Sequence, residues 1–473
     1  MSENSQATHE AEIDNSNRST TPRTNAFLEY ISSHWAERDD VLPAESEAAP
    51  YARARRDRLG AAYPGKRLVI AAGQLKQRSN DTFYPFRPHS AFAHLTGWGS
   101  ASEPGAILVM DPVAGGGSAD GADAPTHEAT IYFRERAGRD SDEFYANPEI
   151  GEFWIGPRPS LDQVAALLGV QTAHLAAFEE REGDVTLTDE GFARATSELR
   201  FVKDEYELRE MQAAVDATHR GFTEVLASLG EAAAHPRGER IIEGVFNQRA
   251  RLDGNEVGYE TIAAAGHHAC TLHWIQNDGP VREGELLLLD AGIEMDSLYT
   301  ADITRTIPIS GAFSEPQRRV YEAVLEAADA ARAIVRPGVR FGDVHDEAMK
   351  VIERVTREWG LLPEADGTAY HRRYMVHGTS HHLGLDVHDC AQAKRELYLD
   401  GRLEAGMVFT IEPGLYFQPD DLTVPEELRG IGVRIEDNIV VTETGCVNLS
   451  SNIPRTADDV ERWIRDAQRG QYS

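Results

Sequence analysis

The chain has 473 residues, too many for one ordinary hydrophobic core at ~150 residues per domain, so two or three domains are expected and two is the sparser reading. With 41% hydrophobic and 26% charged residues, the composition is that of a soluble globular protein rather than a fibrous or disordered one. A formal charge of -31 without any Lys/Arg run argues against a nucleic-acid partner, because binding phosphates needs a clustered cationic surface.

Residues 1–25 form a polar leader, expected to be disordered, without the basic start and apolar core of a secretion signal. The apolar runs, such as Leu286 to Leu289, are far shorter than the ~20 residues a bilayer crossing needs, so no membrane partner is expected. Cys270, Cys390 and Cys446 stand 120 and 56 residues apart, forming no metal or redox motif. They read as structural residues of a protein in a reducing cytoplasm.

Residues 26–200 alternate short apolar strands, at 67–72, 106–110 and 129–133, with helices, which predicts an α/β domain. The Gly-rich stretch from Ala114 to Ser118 reads as a solvated loop, since no GK[ST] or GxGxxG signature accompanies it. A second unit, 201–473, starts where Asp204 can cap a helix whose apolar positions run through Met211, Val215 and Phe222. Amphipathic helices at 236–253, 315–336 and 342–360 then alternate with strand-like segments at 261–275, 285–309, 407–417 and 433–442, predicting an α+β domain with largely antiparallel strands.

Four segments of this second unit carry chemistry. In the first, LLLLDAG followed by ADITRT, two strands joined by a turn would set Asp290 beside Asp302. Two neighbouring carboxylates repel unless a proton or a cation lies between them, although either Asp alone could be a turn former. The second, HGTSHHLGLDVHD from His377 to Asp389, holds four of the chain's 17 histidines in twelve residues. Neutral imidazole is a common metal ligand and proton carrier, and the glycines permit close backbone approach; a His-rich surface loop is the plainer alternative. In the third, FTIEPGLY, Glu412 sits between Ile411 and Pro413, where burying it without a partner would be costly and a cation supplies one. The fourth, GVRIEDN, places Arg434 and Glu436 on one strand face. A strand-edge salt bridge would also account for these last two segments. Four carboxylates and one imidazole together suit two hard or borderline divalent ions of the Mn²⁺ kind. Such a pair, ~3.5–4 Å apart, can activate a bridging water and polarise a carbonyl.

The order Asp290, Asp302, His381, Glu412, Glu436, each within these flanks, resembles the pita-bread metallopeptidases, and within them the Xaa-Pro aminopeptidase (aminopeptidase P) family, over residues 201–455. The segment RSNDTFYPFR followed by FAHLTG, from Arg78 to Gly97, is similar to the creatinase-like N-terminal domain that precedes such catalytic domains. The resemblance implies an α+β pita-bread domain, an antiparallel sheet covered by helices, behind a smaller α/β domain. It implies hydrolysis of the N-terminal bond of peptides with proline in second place, using two divalent metal ions, Mn²⁺ foremost. Asp290 would hold one ion, His381 and Glu412 the other, and Asp302 and Glu436 both, with Glu412 also the general base. His273, His377 and His388 would line the substrate side, stabilising the tetrahedral intermediate or handling protons. Tyr259 and Arg434 would hydrogen-bond the ligating carboxylates. His382 is left to packing, and a homodimer or homotetramer is expected. A prolidase, which cuts only dipeptides ending in proline, would share metals and fold. A metal-free binding protein or creatinase-like hydrolase on this fold would be marked by lost ligands, and all five are present.

Overall fold

The computed structural model describes residues 22, 24–38, 40–80, 82–113, 126–141 and 143–471. Nearly all of the polar leader and the Gly-rich loop after Val113 lie outside the described residues. The chain separates into two compact units, 1–187 and 188–473. The sequence reading set the division at 200/201; the helix Glu190–Glu198, capped by Asp189, falls with the second unit.

In the first unit the three expected strands appear as Leu68–Ala71, Ile107–Pro112 and His127–Phe133, antiparallel neighbours at the centre of a five-stranded sheet. Parallel edges come from Gln171–His174 and Val185–Thr186, so the sheet is mixed. Helix Ser90–Thr96 packs against the central strands. Its last carbonyls, on His94 and Leu95, accept hydrogen bonds from the buried guanidiniums of Arg55 (3.0 Å) and Arg56 (2.7 Å), which satisfy acceptors that a helix end leaves free.

The second unit opens as its sequence predicts. Asp204 accepts from the Glu207 backbone N–H (3.1 Å) while the Glu207 carboxylate accepts from that of Asp204 (2.9 Å), and this capping box starts the helix Glu205–Ala234. Helices Gly238–Asp253, Glu315–Ala333, Phe341–Glu358 and Ala457–Gln468 follow, each burying an apolar stripe. Every strand pair described in this unit is antiparallel. Strand Leu286–Ala291 lies between Ile262–Ala265 and Ile303–Pro308, and Asp437–Val441 lies between Val408–Ile411 and Cys446–Asn448. A ribbon of Gly414–Tyr416 and Gly432–Arg434 is tied to the first of these sheets by the Thr306 hydroxyl, which donates to the Arg434 carbonyl (3.0 Å) and accepts from its N–H (3.1 Å). The expected strand at 261–275 stops at Ala265. From Gly266, at φ +58°, the chain turns into a short 3₁₀ segment, Gly266–Cys270, and then a loop.

The histidine segment runs beside Val408–Ile411 without being a regular strand. The Thr410 N–H donates to the His381 carbonyl (2.9 Å), that of Glu412 to Thr379 (2.8 Å), and that of Leu383 to Val408 (3.1 Å). Behind it stands a buried ion cluster: Lys203 Nζ and Arg200 Nε each reach Asp389 at 2.8 Å, and Arg200 Nη2 reaches Asp386 at 3.0 Å. Gly384 is needed there, since a Cβ would lie 2.2 Å from Asp389 Oδ2 and 2.9 Å from Lys203 Nζ. Burial alone would raise the Asp389 carboxyl, but Arg200 and Lys203 outweigh it and hold the pKa below the ordinary value. The sign follows: this stabilisation is fully present above the usual carboxylate pKa of ~4 and is lost as pH falls through the depressed folded value. Asp389→Asn should therefore cost about 3–5 kcal/mol near neutral pH, because it strands a buried Lys charge, and the loss should shrink on acidification. Denaturant melts of both proteins at pH 7 and in the acid range measure this.

Candidate active site and metal centre

Register builds the site. Strand Leu286–Ala291 pairs with Ile303–Pro308 so that Asp290 faces Thr304, and Asp302 lies two residues before Thr304 on the same face. The backbone at Asp302 is clamped by Asn438, which accepts from its N–H (3.2 Å) and donates to its carbonyl (2.5 Å). Glu436 is fixed by its own N–H donating to the Thr304 carbonyl (3.1 Å) and by the Thr304 hydroxyl donating to Oε2 (2.7 Å). Gly292 permits the crossing, since a Cβ there would lie 1.8 Å from the Ala301 carbonyl oxygen.

All ten side chains singled out by sequence line one cavity of about 520 Å³: Tyr259, His273, Asp290, Asp302, His377, His381, His388, Glu412, Arg434 and Glu436. Glu260, Ser380 and an apolar group of Ile262, Leu272, Ile275 and Val387 complete the wall. Burial grades across it: Asp290, Asp302, Arg434 and Glu436 are buried, whereas His273 and His388 are exposed. His382, left to packing, is buried with its ring stacked on Phe341 (4.5 Å) and edge-on to Phe201 and Tyr398.

His381 Nε2 lies 3.3 Å from Asp302 Oδ2, 3.6 Å from Glu412 Oε1 and 4.0 Å from Glu436 Oε1. Its Nδ1 is 3.3 Å from the His382 carbonyl, which selects the Nδ1–H tautomer and turns the Nε2 lone pair toward the carboxylates. Asp302, His381 and Glu436 each offer one donor atom within 4.8 Å of one another. The Tyr259 hydroxyl contacts Asp290 Oδ1 (2.7 Å) and Asp302 Oδ1, and having only one proton it cannot satisfy both oxygens. Burial, then the charge of neighbouring Asp290, pushes the Asp302 carboxyl well above its usual range; burial and Asp302 do the same to Glu436, and burial and Glu436 to Glu412. Among the described residues Arg434, which ion-pairs with Asp290 through Nη2, is the only guanidinium lining the cavity, against the carboxylates of Glu260, Asp290, Asp302, Glu412 and Glu436. The oxygen-rich donor set and the unbalanced negative charge fit divalent cations.

Two contributors escaped the sequence reading although their segments were in view. Thr304 accepts from Arg434 Nε (3.2 Å) and donates to Glu436. Tyr416 accepts from Arg434 Nη1 (3.1 Å) and meets His377 Nε2 at 2.8 Å, while His377 Nδ1 donates to the Gly378 carbonyl. That pattern makes the Tyr416 hydroxyl the donor to His377. Burial, and then Arg434, brings the His377 pKa down to about 4, so the ring is neutral near pH 7. Neither residue differs from ordinary strand composition, so only the pairing of strands reveals it.

A helix-covered antiparallel sheet with this donor set belongs to the class of metal-dependent hydrolases. Residues 209–443 match the profile of Metallopeptidase family M24, and residues 52–182 that of the aminopeptidase P N-terminal domain. The chain is 50% identical over 458 residues to Xaa-Pro aminopeptidase 2 of Streptomyces coelicolor, covering 91% of this chain and 94% of that protein. It is 48% identical over 467 residues to Xaa-Pro aminopeptidase 1 of the same organism, covering 93% and 91%. Among solved structures, Pseudomonas aeruginosa aminopeptidase PepP aligns over 90% of this chain and 100% of that one, with a TM-score of 0.74 at 29% identity. The chain belongs to metallopeptidase family M24, in the branch that carries the aminopeptidase P N-terminal domain.

If cations neutralise the carboxylates, stability is linked to them. Mn²⁺ at a hundred times its dissociation constant should stabilise chelator-treated protein by about 2.7 kcal/mol per tightly coupled site. Asp302→Asn should abolish that gain while leaving the metal-free protein at least as stable as the wild type, because it removes one repelling carboxylate. Thermal melts with chelator and with Mn²⁺ check both parts; a metal-insensitive wild type would sink the idea.

Proposed function

We propose that the chain removes the first residue of peptides whose second residue is proline, hydrolysing the Xaa–Pro bond with two divalent ions, Mn²⁺ preferred. The observation that carries this reading is the convergence of Asp290, Asp302, His381, Glu412 and Glu436 with three further histidines on one cavity, in a chain about half identical to Xaa-Pro aminopeptidases. Asp290 is assigned to one ion, His381 and Glu412 to the other, and Asp302 and Glu436 to both. When bound, such ions acidify water and polarise the scissile carbonyl.

The protein groups divide the remaining work. Glu412, whose Oε2 is 3.6 Å from His377 Nδ1, takes the proton from the attacking water and passes it toward the leaving proline nitrogen. His377, held neutral and oriented by Tyr416, stands beside that path. The exposed imidazoles of His273 and His388 face incoming substrate, where an N–H can stabilise charge growing on the carbonyl oxygen. Arg434, Thr304 and Tyr259 keep the carboxylates aimed, so their task is orientation rather than proton transfer.

We also place the protein in the cytoplasm as a homodimer or homotetramer. Cys270, Cys390 and Cys446 are all free thiols, which suits a reducing compartment, and no described helix is long and apolar enough to cross a membrane. Light scattering giving a mass near 52 kDa at all working concentrations would contradict the assembly.

With Mn²⁺ present, Ala-Pro-Ala should be cleaved and Ala-Ala-Ala should be nearly inert, and a tripeptide should outpace Gly-Pro; comparable kcat/KM for the first two refutes proline specificity, and cleavage of Gly-Pro alone makes the enzyme a prolidase. Glu412→Gln should fold and lose ~10²–10⁴ in kcat. Rate, metal content and melting temperature on one preparation separate loss of the base from loss of a ligand.

A further inference from the structure

Glu239, on the first turn of helix Gly238–Asp253, has no solvent exposure, and no Lys or Arg is paired with it among the described residues. Its carboxylate instead accepts four hydrogen bonds from one short stretch of chain. Oε1 takes the Ala265 N–H (2.8 Å) and His268 Nδ1 (2.7 Å), and Oε2 takes Trp274 Nε1 (2.9 Å) and the Gly279 N–H (2.7 Å). The Glu239 N–H returns a bond to the Gly279 carbonyl (3.1 Å). His268 stacks on Trp274 with centroids 3.9 Å apart, and Gly279 must be glycine, since a Cβ would fall 2.5 Å from the His268 ring. A buried carboxylate without a Lys or Arg partner depends on its hydrogen-bond donors for its stability.

The stretch so gathered is the loop that carries Leu272, His273 and Ile275 into the cavity wall. Between them Trp274 turns the other way, onto Glu239 and onto the apolar cluster of Ile262, Ala264, Cys270 and Tyr416. The Ile275 N–H bonds to the His273 carbonyl (3.1 Å), closing a tight turn about Trp274. Fixing Trp274 therefore fixes the direction of the exposed residues on either side of it. His273 itself makes no hydrogen bond from its side chain in the described structure, so its place is set from beneath.

We propose that Glu239 is a positioning residue for His273: its carboxylate gathers the ends and the middle of the 265–279 loop and thereby sets the imidazole against the substrate. This rests on the peptidase reading given above. In Glu239→Gln the amide nitrogen cannot accept, so two of four donors lose their partner and the loop loses its single conformation. A displacement of about 1 Å at a group that touches substrate is worth up to about 10²-fold in rate.

The test is a double-mutant cycle on the Mn²⁺-loaded enzyme with Ala-Pro-Ala, comparing wild type, Glu239→Gln, His273→Ala and the pair. Glu239→Gln should keep its metal content and lose about tenfold or more in kcat/KM, and in the His273→Ala background the same substitution should change kcat/KM by less than about twofold. Trp274→Phe keeps the stacked ring and removes one donor; it should show a smaller loss with the same non-additivity, and it decides the matter if Glu239→Gln does not fold. Wild-type kcat/KM in both variants, or losses that multiply with that of His273→Ala, would overturn the proposal. A wild type that cleaves no Xaa-Pro peptide would instead refute the peptidase reading.

Discussion

The structure depends on holding four carboxylates within a few ångströms of one another in a place largely sealed from water. Asp302, Glu436 and Glu412 are each pushed toward the protonated form, first by burial and then by a neighbouring acid. Among the described residues one guanidinium on the cavity wall, that of Arg434, opposes them, and it is itself buried. Such crowding is tolerated because the backbone at each acid is pinned: Asp290 by its strand pairing, Asp302 by Asn438, Glu436 by the Thr304 carbonyl and Glu412 by the Thr379 carbonyl. Repulsion then cannot relax by moving the chain and is relieved instead by what the cavity takes up.

Arg305 shows how much of the neighbouring core serves that rigidity. With no solvent exposure it pairs with Asp437 (2.7 Å), donates to the carbonyls of Thr304 (2.9 Å), Glu436 (2.6 Å) and Pro454 (2.8 Å), and thus ties the strand after Asp302 to the strand after Glu436. Arg455 completes Asp437 from the other side. The motif ADITRT therefore carries three roles on alternate and adjacent positions: a carboxylate at Asp302, an orienting hydroxyl at Thr304, and a buried brace at Arg305. A strand alternates faces, so Asp302 and Thr304 share the side toward Glu436 and Arg434, with Asp302 reaching the cavity, while Arg305 enters the core behind it.

The acids and imidazoles were legible because each breaks a local rule: Asp at the end of a leucine run, Glu inside an apolar strand, four His in a short loop. The helices were legible from their stripes, and the Asp204 cap was found together with its helix. What could not be seen was pairing at long range. Thr304 and Glu436 are 132 residues apart, and Asp290 and Arg434 144, so the orienting bonds exist only once the strands are in register. The strand expected through 275 ended at 265 for a related reason. Its composition continues to favour a strand, but Glu239, on a preceding helix, captures the Ala265 N–H and then His268, Trp274 and Gly279, and these four bonds from a distant segment outweigh propensity.

The gradient of exposure along the cavity bears on why the proposed chemistry removes one terminal residue rather than cutting inside a chain. The carboxylates lie at the buried end and His273, His388 and Ile275 at the open one, which the proposed reading assigns to the leading residue and to the rest of the peptide respectively. With the carboxylates engaged by divalent cations, a free terminal amine offers a nitrogen lone pair that an amide within a chain, its lone pair delocalised into the carbonyl, does not. On the proposed reading the chain beyond the scissile bond meets Leu272, Ile275 and Val387 on the cavity wall. A proline ring, apolar and lacking an N–H, is compatible with these apolar side chains on the leaving side.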